Sequence, residues 1–94
     1  MIKTFRDSIT ERVFNGEFPG KGFPADLVKV ARRKLMMLHA ANRLEDLRAP
    51  PANRLELLRG DRAGQHSIRI NDQFRVCFKW TGAGAEDVEI TDYH

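Results

Sequence analysis

Cysteine is almost missing from this 94-residue chain. Cys77 stands alone, so no internal disulfide can form, and a single thiol fits a reducing cytoplasm. No apolar run approaches the roughly 20 residues of a membrane-crossing helix. The opening Met1-Ile2-Lys3-Thr4-Phe5-Arg6 is no signal peptide. Metal-type clusters of Cys and His are absent, and no pair of carboxylates or histidines has a convincing ligand spacing, so the sequence calls for neither a metal nor a cofactor. Repeats and low-complexity tracts are absent too. What remains is one domain spanning residues 1–94, long enough to bury roughly 60–65% of its unfolded surface as one sheet covered by helices on a single face. The charge excess is also small: a net +3 and a pI near 9.4 make the chain mildly basic, compatible with RNA without requiring it.

That excess is concentrated in one place. From Asn53 to Phe78, with Lys79 just after, Arg54, Arg59, Arg62, Arg69, Arg75 and Lys79 stand against Glu56, Asp61 and Asp72, and the remaining ten basic and ten acidic residues cancel. The same stretch has the rhythm of three short strands. Leu55 and Leu57, then Ile68 and Ile70, then Phe74, Val76 and Phe78 alternate with polar neighbours, broken by Gly60-Asp61, Gly64 and Asn71-Asp72-Gln73. Period-two alternation bounded by turn residues reads as an antiparallel meander. Residues two apart share a strand face, so Arg69, Arg75, Cys77 and Lys79 fall opposite the apolar row. One face is core and the other is a surface for anions.

The rest of the chain reads as support. Met1 to Arg6 alternates weakly, as a first strand. Ser8, with Glu11 three residues on, predicts a capping box for a short helix over Ile9 to Phe14, ended by Asn15-Gly16. Glu17 to Phe23, with Pro19, Gly20 and Gly22, is a surface loop. Pro24 suits the first position of a second helix running to about Asn42, with Asp26 in its first turn. Leu27, Ala31, Leu35 and Leu38 line its apolar face, with Val28 beside them, and Lys29, Arg32, Arg33 and Arg43 lie opposite. That basic face is either a solvated surface or, given Met36 within it, a docking surface. Leu44 to Leu47 adds a helical turn before Ala49-Pro50-Pro51-Ala52 forces an extended connector. Gly82 to Ala85 is a hairpin loop, and Asp87 to Tyr93 a last strand with Val88 and Ile90 inward. The order predicts an α+β domain: an antiparallel sheet of four to five strands with two N-terminal helices packed on one face.

Tyr93 shares the outward parity of Thr91, which brings it towards Arg69 and Arg75. Arginine offers fixed charge and a fork of donors matched to phosphate, tyrosine a stacking plane and a phenolic proton, and His94 a group titrating near pH ~6.5. Such a set suits cleavage of an RNA backbone by its own 2′-hydroxyl. Glu56 is a candidate base, and otherwise an ordinary exposed strand glutamate. His66 has the inward parity of Ile68 and Ile70 and reads as a core edge, and His39, at the helix boundary, as solvated. From chemistry alone three functions stay open: a nuclease, a basic module that binds RNA or the ribosome without cutting, and a domain that only meets a protein partner.

Resemblance narrows these. Met1 to Phe5, Leu58-Arg59-Gly60-Asp61-Arg62-Ala63-Gly64, Ser67-Ile68-Arg69, Gln73-Phe74-Arg75-Val76-Cys77-Phe78 and the closing Asp92-Tyr93-His94 resemble the HigB toxins of the RelE superfamily. Asp46-Leu47-Arg48-Ala49-Pro50-Pro51 followed by Asn53-Arg54-Leu55-Glu56 is similar to the GraT-like branch. The resemblance covers nearly the whole chain. It implies a RelE-like fold and a small cytoplasmic toxin that cleaves messenger RNA on the ribosome without metal, inhibits translation and growth, and is held inactive by a helix-turn-helix, HigA-like antitoxin. It also implies that Arg75 and Arg59 bind phosphate and stabilise the transition state, and that Asp92, Tyr93 and His94 serve proton transfer and base stacking; the charge pattern of the meander adds Arg54, Arg62, Arg69 and Lys79 as residues expected to help hold RNA. Two positions depart from the pattern: Glu56 stands where some relatives carry histidine, and Arg59 where some carry lysine. Arginine stays protonated to above pH ~12 and cannot shuttle a proton, so Arg59 is expected to act by charge alone. With few proton-transfer groups, activity is expected to depend on the ribosome to align the 2′-hydroxyl.

Overall fold

The computed structural model describes residues 1–92; Tyr93 and His94, both named above, lie outside the described residues. Helix α1 (Ser8–Asn15) is capped by Asp7, whose carboxylate accepts from the Thr10 backbone N–H at 2.7 Å. The expected Ser8–Glu11 box is displaced by one residue, because Asp7 already has the extended backbone a cap requires and sets an anion at the helix's positive end. Gly16 closes the helix at φ 78°, and the next N–H, of Glu17, reaches back to the Arg12 carbonyl at 2.8 Å. Pro24 precedes a 3₁₀ turn, Ala25–Leu27, and helix α2 itself is Val28–Ala40, later and shorter than the sequence suggests. Its expected face is buried: Leu27, Ala31, Leu35 and Leu38 are 4% exposed or less. Lys34 is buried with them.

Four strands, β1 (Glu56–Leu57), β2 (His66–Arg69), β3 (Phe74–Thr81) and β4 (Gly84–Asp92), form an antiparallel sheet in sequence order. The Asn71 side chain builds the β2–β3 turn by accepting from the N–H groups of Gln73 and Phe74. The first strand is present only as two parallel bridges to β4, Ile2–Ala85 and Phe5–Val88. Met1 and Lys3 nevertheless exchange backbone hydrogen bonds with Ala85 across that edge. β4 begins at Gly84 and not at Asp87 because Gly84, Ala85 and Glu86 pair with Thr81, Trp80 and Lys79 of β3, while Ala85 also bonds the N-terminal segment. The close N-terminal segment explains Gly84, where a Cβ would lie 2.2 Å from the Met1 carbonyl oxygen.

One core joins the helices to the inner sheet face. Val13, Leu35, Leu38 and Leu47 meet Ile68, Val76, Phe78 and Val88. Leu57 departs from expectation, being 64% exposed, whereas Leu58 is 4% exposed and lies outside that core. β1 is only two residues long, and its Leu57 reaches an edge the core does not cover, while Leu58 is drawn in by its bond to the Gln65 carbonyl. His39 is not solvated either. Its Nδ1 accepts from the Ile2 N–H at 3.1 Å and its ring packs on Phe14.

Candidate functional site

The outer sheet face is ordered in rows by strand register. Glu56, Ser67, Cys77 and Glu89 form one row, and Arg69, Arg75 and Thr91 the next. Ser67 and Cys77 are fully buried although they carry the outward parity, so this face holds a small buried layer of its own beneath its charges. Arg62 forms much of that cover. It leaves the 3₁₀ turn Gly60–Arg62 and lies back across the sheet, paired with Glu89 at 2.8 Å and donating to Gln65 Oε1 and, at 3.5 Å, to Thr91 Oγ1. Arg6 approaches the same Glu89 oxygen at 3.8 Å. Burial pushes the Cys77 thiol pKa up, which keeps it in its unreactive form.

Arg75 is held differently. Its Nε donates to Ser67 Oγ at 2.6 Å and its Nη2 to the backbone carbonyl of Arg54 at 2.6 Å. Both acceptors are neutral, and among the described residues no carboxylate pairs with it. A guanidinium so fixed keeps its positive charge, and among the described residues nothing takes its Nη1 protons, which remain for a ligand. The Arg54 carbonyl reaches Arg75 because Arg54 is left-handed, at φ 46° and ψ 58°, an unusual conformation for a residue with a Cβ. Arg69, the register partner of Arg75, is paired instead with Asp72 in the turn. Among the described residues, and of the cations foreseen from sequence, Arg75 is therefore the one both anchored and uncompensated, while Arg62 and Arg69 have part of their charge cancelled in place.

The other expected site residues are spread around this centre. Glu56 is exposed and lies opposite Ser67, in the row beside Arg75. Arg59 is exposed at the entrance to the Gly60–Arg62 turn, and the Arg54 side chain is exposed as well. Lys79 lies beyond a register shift at Cys77–Lys79, four residues from Arg75 and so about 13 Å along the strand, outside the cluster. Asp92 is opposite Phe74, on the other strand parity from Thr91, and accepts from Gln73 Nε2 at 3.0 Å. His66 faces inward and stacks on Phe78, and burial lowers its pKa. Sequence reading missed Ser67, Glu89 and the Arg54 carbonyl. Ser67 had a signal, an outward small hydroxyl diagonal to Arg75. The other two had none, since both act across turns.

Comparison with known proteins agrees with this picture. The family model described as the RelE-like toxin of the type II toxin–antitoxin system HigB matches residues 3–94. The chain belongs to the HigB-like toxin family. Toxin HigB-1 of Vibrio cholerae serotype O1 is 38% identical over 80 residues, covering 85% of this chain and 84% of its own length. An uncharacterised protein of Haemophilus influenzae is 41% identical over 76 residues, covering 81% of this chain and 75% of its own. Two helices on one face of a four-stranded antiparallel sheet are consistent with the RelE-like fold, and this HigB-like toxin is the toxin component of a type II toxin–antitoxin system. Among the described residues no helix is long and apolar enough to cross a membrane.

Proposed function

We propose that this HigB-like toxin is a ribosome-dependent endoribonuclease that cuts messenger RNA without a bound metal, inhibits translation and growth from the cytoplasm, and is silenced by a helix-turn-helix antitoxin. The observation that carries the reading is Arg75, a guanidinium fixed by two neutral acceptors on the outer sheet face and paired with no carboxylate among the described residues. A phosphate docked on its Nη protons is flanked by the row containing Glu56 and by Arg54, whose carbonyl holds Arg75.

In the reaction the ribose 2′-oxygen attacks the adjacent phosphorus, its proton passes to a base, and the bond from phosphorus to the 5′-oxygen breaks as that oxygen takes a proton from an acid. The products are a 2′,3′-cyclic phosphate and a 5′-hydroxyl. Arg75 stabilises the charge that builds on the phosphoryl oxygens, where it does most good because it is already in place. Glu56, Asp92, Tyr93 and His94 are the proton-transfer and stacking candidates. The ribosome supplies the alignment that so sparse a set of groups does not.

The test is brief expression with mapping of messenger RNA 5′ ends, beside cleavage of programmed ribosomes by purified toxin. Cuts in translated messages, absent with Arg75→Ala and insensitive to chelation of transition metals at constant magnesium, are expected. Inhibition of translation with intact messages would replace this reading with a non-cleaving ribosome or RNA binder.

A further inference from the structure

Lys34 does not belong on the apolar face of α2. It is 8% exposed, between Ala31, Leu35 and Leu38, and no carboxylate pairs with it among the described residues. Burial lowers its pKa, and the neighbouring charges of Arg33 and Arg69 lower it further. An apolar residue would fill the same place at less electrostatic cost. What Lys34 has is one short bond, Nζ donating to Asn53 Oδ1 at 2.6 Å.

Asn53 is itself fully buried, and its amide turns the other way. Nδ2 donates to the Leu47 carbonyl at 3.2 Å and the Ala49 carbonyl at 3.4 Å, and the Asn53 N–H donates to the Pro50 carbonyl. One side chain thus gathers the connector between the Leu44–Arg48 turn and β1 and ties it to α2. The next residue is Arg54, whose left-handed backbone aims its carbonyl at Arg75 Nη2. A continuous run of bonds therefore leads from Lys34, on the helix side of the sheet, through Asn53 and the Arg54 backbone to the guanidinium on the opposite face.

We infer that Lys34 and Asn53 are positioning residues for Arg75: they hold the Arg54 carbonyl where it fixes the guanidinium in its working orientation. The role in turnover rests on the nuclease reading above, whereas the role in ordering Arg75 does not, and two readouts keep them apart. Asn53→Asp preserves size and the contact with Lys34 but replaces the donor facing the Leu47 and Ala49 carbonyls with an acceptor. Lys34→Met removes the ammonium and keeps the packed stem. It takes over both measurements if the first variant does not fold.

The first readout is the Arg75 Nη2–H resonance of the free toxin, the proton donated to the Arg54 carbonyl, assigned by its loss in Arg75→Lys. Its exchange with water should accelerate about tenfold or more once the Arg54 carbonyl is released, while core amides keep their protection. The second is cleavage of programmed ribosomes, where kcat should fall by about 10²-fold with KM little changed, as expected of a misplaced catalytic group. A folded variant with Arg75 as protected as in the wild type and kcat intact overturns the inference. If Arg75 loosens in the variant and the wild type cuts no message, the positioning stands and the nuclease reading falls.

Discussion

Arg75 and Ser67 sit diagonally on neighbouring strands, one register step apart, with Nε 2.6 Å from a hydroxyl oxygen that is wholly buried. The buried serine converts a flexible surface arginine into a fixed donor. Ser67→Ala should leave the fold intact, cost about 1–2 kcal/mol of stability and reduce turnover on programmed ribosomes. Arg75→Ala should cost about 10²–10³ in rate with an unchanged circular dichroism spectrum. Arg75→Lys should resemble the alanine variant, because an ammonium cannot hold both acceptors and still present a fork. Wild-type turnover in either Arg75 variant would make it an ordinary surface residue.

Arg62 and Glu89 should behave as a lid over Cys77. Their side chains are 26% and 17% exposed, so the pair is partly desolvated, and removing the arginine leaves a carboxylate without its main countercharge. Arg62→Ala is expected to lower stability by about 2 kcal/mol, less than for a fully buried pair. It should also open the sulfur beneath. Labelling of the native protein with a neutral disulfide reagent should be slow in the wild type and clearly faster in the variant; equal rates would mean that other groups seal Cys77.

His66 predicts a particular acid sensitivity. Burial lowers its pKa from the ordinary ~6.5, so the folded protein takes up this proton less readily than the unfolded chain. Its contribution to stability is fully present above about pH 6.5 and is lost as pH falls through the lowered folded value. His66→Phe, which retains the ring against Phe78, should flatten the stability profile over that window. Denaturant titrations of both proteins at several pH values will show whether the two curves diverge on acidification as expected.

Tyr93 and His94 should fail in different ways. If Tyr93 stacks on a base, an interaction worth roughly 1–3 kcal/mol, Tyr93→Phe keeps most activity and Tyr93→Ala does not. His94, with an imidazole that can both accept and donate a proton, is the better proton carrier, so His94→Ala should change the pH dependence of turnover. Deleting both should abolish cleavage while leaving antitoxin binding and thermal stability nearly unchanged, since among the described residues the packed apolar ones end at Ile90. Full cleavage by the truncated toxin would move the chemistry to Glu56 and Asp92.

Much of the fold was legible because it is written in periods. Leu27, Ala31, Leu35 and Leu38 recur at helical spacing and are buried, and Ile68, Val76, Phe78 and Val88 recur at strand spacing and meet them. Where an end is decided by a single local bond the reading slipped by a residue, as at Asp7. Where a strand is short and at an edge, as at Leu57, alternation no longer decides burial, because nothing packs against one of its faces.

By itself the sequence determined which residues face which way: an apolar sheet face, a cationic one, and Arg75 on the latter. Only the tertiary structure decided which of those cations is free to act. Arg62 is drawn onto Glu89 and Arg69 onto Asp72, while Arg75 falls to Ser67 and the Arg54 carbonyl, with Lys34 and Asn53 behind it. Periodicity encodes a direction relative to the local backbone, and that survives in one dimension. Partnership depends on distances between segments brought together by turns and by a left-handed residue, and those exist only once the chain has folded.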